Sequence, residues 1–192
     1  MPTPRSARVA LCGLTLLAAC AGESNPARDA DAAHGTTLAT VPPPRDSVAT
    51  LAWFRQRVAE IESDTAAMTR TEKPVSLGAG TSGLVTAWRA GPVWRRLRVE
   101  ADGPGFRSTD DYWLSNGVFL GARLEVVRPD RPTAVDQLWL RDGALYRWTD
   151  PSGRHLNPEA RSTQYEVQRM RARFDSLLSI VAADDAIRKP TR

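Results

Sequence analysis

Cysteine and histidine are scarce in this chain, and their positions exclude several kinds of site. The 192 residues contain two cysteines, Cys12 and Cys20, and two histidines, His34 and His155. Because both cysteines fall within the first 20 residues, the rest of the chain has no disulfide framework and no cysteine-based metal site or nucleophile. His155 has no acidic or cysteine neighbour at ligand spacing, and His34 lies in a polar linker, so we interpret both as solvated residues. We therefore predict no catalytic residue, no metal site and no cofactor.

Lysine is almost absent, so the positive charge of the chain is carried by arginine. Of the 26 basic residues, only Lys73 and Lys189 are lysine. Arginine suits bidentate contacts with anions and stacking on aromatic rings, but the codon usage of a GC-rich genome produces the same bias. The formal charge is +4, and without Arg5 and Arg8, which lie in a segment that we expect to be removed, 24 basic residues stand against 22 acidic ones. A charge this small does not argue for nucleic-acid binding.

The N-terminal segment has the layout of a secretory signal. Arg5 and Arg8 precede an apolar run from Val9 to Ala19, about half of the roughly twenty residues that a transmembrane helix needs. Leu17-Ala18-Ala19-Cys20 ends this run and resembles the lipobox of bacterial lipoprotein precursors. The resemblance covers residues 1–20 and implies removal of residues 1–19 and lipidation of Cys20 by a thioether-linked diacylglycerol, usually with N-acylation. An ordinary signal peptide cleaved near Ala19 is the alternative.

The resemblance also implies a location. Each methylene of an acyl chain contributes about 0.8 kcal/mol, so two or three chains would hold the protein at a bacterial membrane. Ala21 follows the cysteine where an aspartate would often mean retention in the inner membrane, so we expect the outer membrane, facing the periplasm. Residues 20–45 are polar and end in Pro42-Pro43-Pro44, a composition that predicts a disordered tether.

Two short patterns, 26 residues apart, predict the centre of a folded domain at residues 46–187. Asn116-Gly117 and Asp142-Gly143 each separate two apolar runs, which indicates hairpins with type I′ turns. With the alternating segments around them, they predict a six-stranded antiparallel meander. We place its strands at Leu84 to Arg89, Val93 to Glu100, Phe106 to Ser115, Val118 to Val126, and in the two arms of Ala134 to Asp150. Strict alternation would place Val118, Leu120, Ala122, Leu124 and Val126 on one face.

Pairing across the two tight turns predicts which aromatic residues face each other. A two-residue loop places Trp113 opposite Leu120 and Trp139 opposite Tyr146, with Trp148 on the same face as Tyr146.

Helical spacing appears on both sides of the predicted sheet. The first helix begins at Asp46 or Ser47 and ends at Lys73-Pro74, and a loop follows at residues 75–83. Its apolar face is formed by Leu51, Phe54, Val58, Ile61, Thr65 and Met68. The second helix has Asn157 as its cap and Pro158 at its first position. Its apolar face is formed by Val167, Met170, Phe174, Leu177 and Val181. The sequence thus predicts an α+β fold with helices packed on a twisted sheet or half-barrel, followed by a frayed tail at residues 188–192.

Arginine interleaved with tryptophan is the pattern most typical of a binding site. On a regular strand Trp94, Arg96 and Arg98 share one face, where stacking and bidentate hydrogen bonds could hold a sugar, a lipid headgroup or a phosphate. The alternative is a tryptophan packed under a helix with arginines extending past it. We interpret the acidic pair Asp110-Asp111 as a solvated strand edge rather than as an acid–base or calcium site.

Three functional hypotheses remain at this level. The first is a non-enzymatic envelope module that binds a protein partner or serves as a scaffold. The second is a carrier or binder of lipid or glycan, which a pocket of several hundred cubic ångströms would favour. The third is a hydrolase, which convergent carboxylates in a cleft would favour. The extracytoplasmic location argues against nucleic acid as a partner.

Overall fold

The computed structural model describes residues 47–78 and 80–187, except for the side chains of residues 184–187. The predicted signal segment, the predicted lipidation site at Cys20, the predicted tether and the predicted frayed tail lie outside the described residues. The elements in chain order are α1 (Ser47–Ser63), a single turn of 3-10 helix (Asp64–Ala67), β1 (Thr69–Gly78), β2 (Thr81–Ala90), β3 (Val93–Gly103), β4 (Phe106–Ser115), β5 (Val118–Arg128), β6 (Arg131–Arg141), β7 (Ala144–Thr149) and α2 (Arg161–Ile187).

The strands form one antiparallel sheet in the order β1 to β7, so the sheet has seven strands rather than the six predicted. The additional strand is β1, which the sequence assigned to the end of the first helix and to a loop. It pairs with β2 from Thr69 opposite Arg89 to Ser76 opposite Ser82. Threonine at alternate positions favours a strand, and Pro74 is tolerated because β1 is an edge strand. Most side chains of β1 are polar, so its sequence shows no alternation of apolar residues.

The two helices pack on opposite faces of the sheet. The predicted apolar face of α2 is buried in the main core against residues of β2 to β7, and the prediction of that face is confirmed. The face of α1 forms a second cluster, in which Phe54 and Ile61 pack against Trp113, Leu120 and Trp139. Phe54 is fully buried, and its ring stacks on that of Trp139 at a centroid distance of 5.2 Å.

The two predicted type I′ turns are confirmed by their backbone angles. Asn116 and Gly117 have φ of 51° and 79°, and Asp142 and Gly143 have φ of 50° and 77°. Positive φ at both central residues matches the right-handed twist of the flanking strands.

The pairing shifts register in five of the six strand pairs, and in the hairpins β2–β3, β4–β5 and β6–β7 the shift leaves one extra residue in the second strand. Trp88 pairs with Arg96 but Arg89 pairs with Trp94, which leaves Arg95 as an extra residue in β3. The same shift leaves Leu120 extra in β5 and Tyr146 extra in β7. Such a bulge moves the following side chains to the other face of the sheet.

These bulges correct the predicted pairs. Trp113 lies opposite Gly121 rather than Leu120, and Trp139 lies opposite Arg147 rather than Tyr146. Tyr146 does pack on the α1 side, but Trp148 belongs to the core under α2.

The bulge in β5 also divides its apolar residues between the faces. Leu120 packs with α1, while Ala122 and Leu124 pack with α2, so the predicted single face is wrong. Gly121 is required beside the bulge, because a Cβ there would lie 2.6 Å from both the Leu138 carbonyl oxygen and the Trp139 ring.

The second helix begins later than predicted. Asn157 caps a turn, because its Oδ1 accepts a hydrogen bond from the Glu159 backbone N–H at 3.0 Å and its carbonyl accepts one from Ala160. The helix proper starts at Arg161. None of the helices among the described residues is long and apolar enough to cross a membrane.

Candidate functional site

The α2 face of the sheet carries a row of aligned residues in which two carboxylates alternate with two apolar side chains. Val99, Asp110, Leu124 and Asp136 are paired in register across β3, β4, β5 and β6. Asp110 is in phase with the buried Tyr112 and Leu114, so strand alternation carries this acid into the interior. The interpretation of Asp110-Asp111 as a solvated strand edge is wrong, because each residue is only 3% exposed.

A cavity of about 580 Å³ lies above this row. We call it the main cavity. It opens at the end of the sheet where β1 meets β2 and β5 meets β6. Its lining consists of Leu77, Thr81, Ala101, Phe106, Ser108, Asp110, Leu124, Val126, Arg128, Asp136 and Arg173. Five of these side chains are apolar, two carry hydroxyl groups and four are ionisable, and most of the exposed surface of the lining is apolar.

Asp110 and Arg173 form an ion pair on the wall of the main cavity. Arg173 Nη2 lies 2.6 Å from Asp110 Oδ2, with the acid side chain 5% exposed and the arginine side chain 46% exposed. The contact falls outside hydrogen-bond geometry, so Asp110 Oδ2 accepts no hydrogen bond from the part of the chain that the structure describes. Burial raises the pKa of Asp110, Arg173 opposes this effect, and the neighbouring Asp111 adds to it.

Asp136 is anchored by a tryptophan on the neighbouring strand. Trp148 Nε1 donates a hydrogen bond of 2.8 Å to Asp136 Oδ1. Burial raises the pKa of Asp136, the indole hydrogen bond lowers it, and the charge of Asp150 raises it, with a net upward shift. The two carboxylates of the cavity are therefore the groups of this wall that most readily take up protons.

Sequence reasoning missed the residues of this cavity, although one signal for Arg173 was present. Arg173 follows Met170 by three positions and precedes Leu177 by four, which places it at the margin of the apolar face of α2. Asp136 precedes Leu138 by two positions on β6 and so shares its face.

The predicted binding set of Trp94, Arg96 and Arg98 is divided by the bulge at Arg95. Trp94 packs against the core on the α2 side, while Arg96 and Arg98 lie on the α1 side with Asp111. The prediction that the three share one face is therefore wrong. Whether any of them contacts a ligand stays a prediction.

Arg96 and Arg98 are held by a buried carboxylate. Arg96 donates to Asp111 Oδ1 from Nε at 3.1 Å and from Nη2 at 2.8 Å. Arg98 donates from Nε to Oδ1 and from Nη2 to Oδ2, both at 2.9 Å. The Arg96 guanidinium also lies 3.4 Å from Glu62 at the end of α1 and 5.1 Å from the Trp88 ring centroid. Through Arg96, this network links Glu62 of α1 to Asp111 of the sheet.

A smaller cavity of about 360 Å³ lies at the opposite end of the sheet. We call it the hairpin-end cavity. It is bordered by both type I′ turns and by Trp53, Phe54 and Phe119. Val118, on its rim, is 61% exposed.

Among residues 47–78 and 80–187, no group of three or more histidine, cysteine, aspartate or glutamate side chains could hold a metal ion. His155 is exposed, as predicted, and its ring contacts Arg147 and the Thr149 hydroxyl.

Comparison with known proteins finds no relative: no family model, no curated protein and no solved structure matches this chain.

Proposed function

We propose that this protein binds a small amphipathic molecule in the main cavity, as a lipid-anchored protein of the bacterial envelope. The observation that carries the proposal is the cavity itself, with its volume of about 580 Å³ and its largely apolar lining. Pockets for small molecules are commonly about 300–1,000 Å³, mostly apolar, with a few placed polar groups. Asp110, Asp136 and Arg173 supply those groups. A lipid fits this lining better than a glycan, because most of the surface that the lining presents to the cavity is apolar.

The position of α2 supports a finer description of the sheet. Residues from β2 to β7 pack on this one helix, and Val75 of β1 joins them. We infer that the sheet curves around α2 as a half-barrel, with the main cavity at its open end. The proposed anchor at Cys20 would keep the protein at the membrane, where lipid ligands are available.

Photo-crosslinking in living bacteria tests the ligand. The photoreactive amino acid p-benzoylphenylalanine, placed at Phe106 in the full-length protein, should form an adduct with the mass of a lipid. The same amino acid at Tyr165, which is 60% exposed on α2 and outside the main cavity, is the control. An adduct of equal yield at both positions, or none at Phe106, would contradict the proposal.

A matched pair of variants then separates cavity binding from surface binding. Ser108 lines the main cavity, and Thr109 is the next residue on the same strand, with its side chain on the other face. Ser108→Phe should fill the cavity and remove the adduct at position 106. Thr109→Phe adds the same bulk outside the cavity and should leave the adduct in place.

Binding of a protein partner, the first hypothesis from the sequence, stays a second proposal. The hairpin-end cavity and the exposed Val118 beside it are the observations that favour it. p-Benzoylphenylalanine at Val118 should then form an adduct of protein mass that Ser108→Phe does not affect. If position 118 gives no such adduct while position 106 gives a lipid adduct, the ligand-binding proposal alone is supported.

Hydrolysis receives less support than binding. Asp110 and Asp136 do line one cavity, but Leu124 lies between them in the row. Each carboxylate also has a partner already, Arg173 for Asp110 and the Trp148 indole for Asp136.

A further inference from the structure

The arginines of the main cavity are more available than its acids, and this difference points to the charge of the ligand. Asp136 is engaged by Trp148 and Asp110 by Arg173. Arg128, exposed at the rim of the cavity, has no ion pair with any carboxylate in the described ranges. The Arg173 side chain is nearly half exposed and makes only one contact with Asp110, so most of the five N–H donors of its guanidinium remain for another acceptor.

We infer that the main cavity takes an anionic amphiphile, whose acidic head replaces Asp110 at the Arg173 guanidinium while Asp110 takes up one proton. The inference rests on the proposed function and names its ligand class. The apolar part of the ligand would lie along Phe106, Leu124 and Val126, and Arg128 would face the head from the rim. Carboxylates and phosphates both fit a guanidinium, since both accept two parallel N–H bonds.

The surroundings of Asp110 make the exchange of partners reasonable. Arg173 on α2 is the cation that faces it, while Asp136 on β6 lines the same cavity. Its partners on β3 and β5, Val99 and Leu124, carry no charge. Its neighbours on β4 are Asp111, whose charge favours the protonated form of Asp110, and the buried Tyr112. If an anion occupies Arg173, the one charge that lowers the pKa of Asp110 is neutralised, and the carboxylate becomes a carboxylic acid.

Protonated Asp110 would also supply the site with a hydrogen-bond donor. Once the ligand occupies Arg173, which lies 2.6 Å from Asp110 Oδ2, no donor among the described residues competes with a proton on that oxygen. The resulting O–H group can donate to the acidic head of the ligand. Binding would therefore become tighter as the pH falls, because one proton enters with each anion.

Two fluorescent probes that differ only in charge test this inference. 8-Anilinonaphthalene-1-sulfonate carries a sulfonate that stays ionised throughout the usual pH range, and N-phenyl-1-naphthylamine is the same aromatic body without it. The full-length protein is placed in phosphatidylcholine nanodiscs, and the signal of empty nanodiscs is subtracted. Wild type should bind the sulfonate at least tenfold more tightly than the uncharged probe. Arg173→Met should remove that preference while still binding the uncharged probe.

Asp110→Asn provides the test of proton coupling. It cannot titrate and does not compete as an anion for Arg173, so it should bind the sulfonate more tightly than wild type at pH 7.5. Its affinity should also be the same at pH 5.5 and 7.5, whereas wild type should bind more tightly at pH 5.5. A pH dependence that persists in Asp110→Asn would overturn the proton uptake.

The outcomes separate this inference from the proposed function. Equal affinity of wild type for the two probes, with binding abolished by Ser108→Phe, would overturn the anionic ligand and leave the binding function standing. Failure of both probes to bind the wild-type cavity would overturn both. Displacement of the sulfonate probe by decanoate or by decyl phosphate would support the inference. The competitor that binds more tightly identifies the acidic head as a carboxylate or a phosphate.

Discussion

Asp110 and Asp111 are adjacent carboxylates with the same burial and different surroundings, so replacing each by asparagine should give two different results. In Asp111→Asn, the two oxygens that accept four hydrogen bonds from Arg96 and Arg98 become one oxygen and one donor. Among the described residues, Arg96, whose side chain is 9% exposed, would keep only Glu62 at 3.4 Å as an acidic partner. Removing one member of a buried pair costs about 3–5 kcal/mol. Because Glu62 remains and Arg98 is partly solvated, we expect a loss of about 3 kcal/mol.

Asp110→Asn should change the free energy of unfolding by less than about 1 kcal/mol at neutral pH. Its partner Arg173 is 46% exposed, and ion pairs with solvated partners contribute about 0–1 kcal/mol. The change also removes a charge from a buried site. Since the pKa of Asp110 is raised from 3.8 in the folded state, the folded state binds the proton more tightly. The stability that Asp110 contributes is thus fully present below pH 3.8 and is lost as the pH rises through its folded pKa. The variant should therefore gain stability relative to wild type as the pH rises through that window.

Urea unfolding followed by tryptophan fluorescence measures both effects. All six tryptophans lie between Trp53 and Trp148, so the signal reports the folded domain. All variants are fitted with the same dependence of the unfolding free energy on urea concentration. A difference in the midpoint of unfolding then measures a difference in stability. Equal losses of unfolding free energy for the two variants, or a larger loss for Asp110→Asn, would refute the reasoning. That reasoning holds that the hydrogen-bond and ion-pair partners of each aspartate, rather than its burial, determine how much stability is lost.

Two other predictions concern the attachment of α1 and of the whole chain. Phe54→Ala should lower the free energy of unfolding by about 3–5 kcal/mol, because Phe54 is fully buried against Trp139. Val48→Ala, at a position 76% exposed on the same helix, should change it by less than about 0.5 kcal/mol. If urea unfolding shows equally small losses of stability for Phe54→Ala and Val48→Ala, the packing of α1 on the sheet is contradicted. Cys20→Ser should move the protein from the membrane fraction to soluble periplasm or to unprocessed precursor. A membrane-bound band of mature size would rule out the lipid anchor.

Local rules predicted the parts of the fold that local chemistry determines. Asn116-Gly117 and Asp142-Gly143 identified both hairpin turns, because few residues accept positive φ. The three- and four-residue spacing from Val167 to Val181 gave the buried face of α2. Each of these features depends on a few neighbouring residues, which the sequence displays directly.

The errors arose where distant residues decide the structure. A bulge is a property of two paired strands, so nothing in β3 alone marks Arg95 as the extra residue, and Trp94 was placed on the wrong face. Thr69 to Gly78 became a strand because β2 was available to pair with it. The main cavity needs Arg173, which lies 63 positions after Asp110 in the sequence. No local pattern could bring these two residues together.

The three bulged hairpins have a consequence for how this chain can change in length. Trp88, Trp113 and Trp139 each stand three residues before a turn and seven before the extra residue of the returning strand. They follow one another at intervals of 25 and 26 residues. A single inserted residue would exchange the two faces of a strand, whereas one more complete hairpin would repeat the pattern without disturbing it. We therefore expect relatives of this protein to differ by whole hairpins of about 25 residues, in the manner of short repeat arrays.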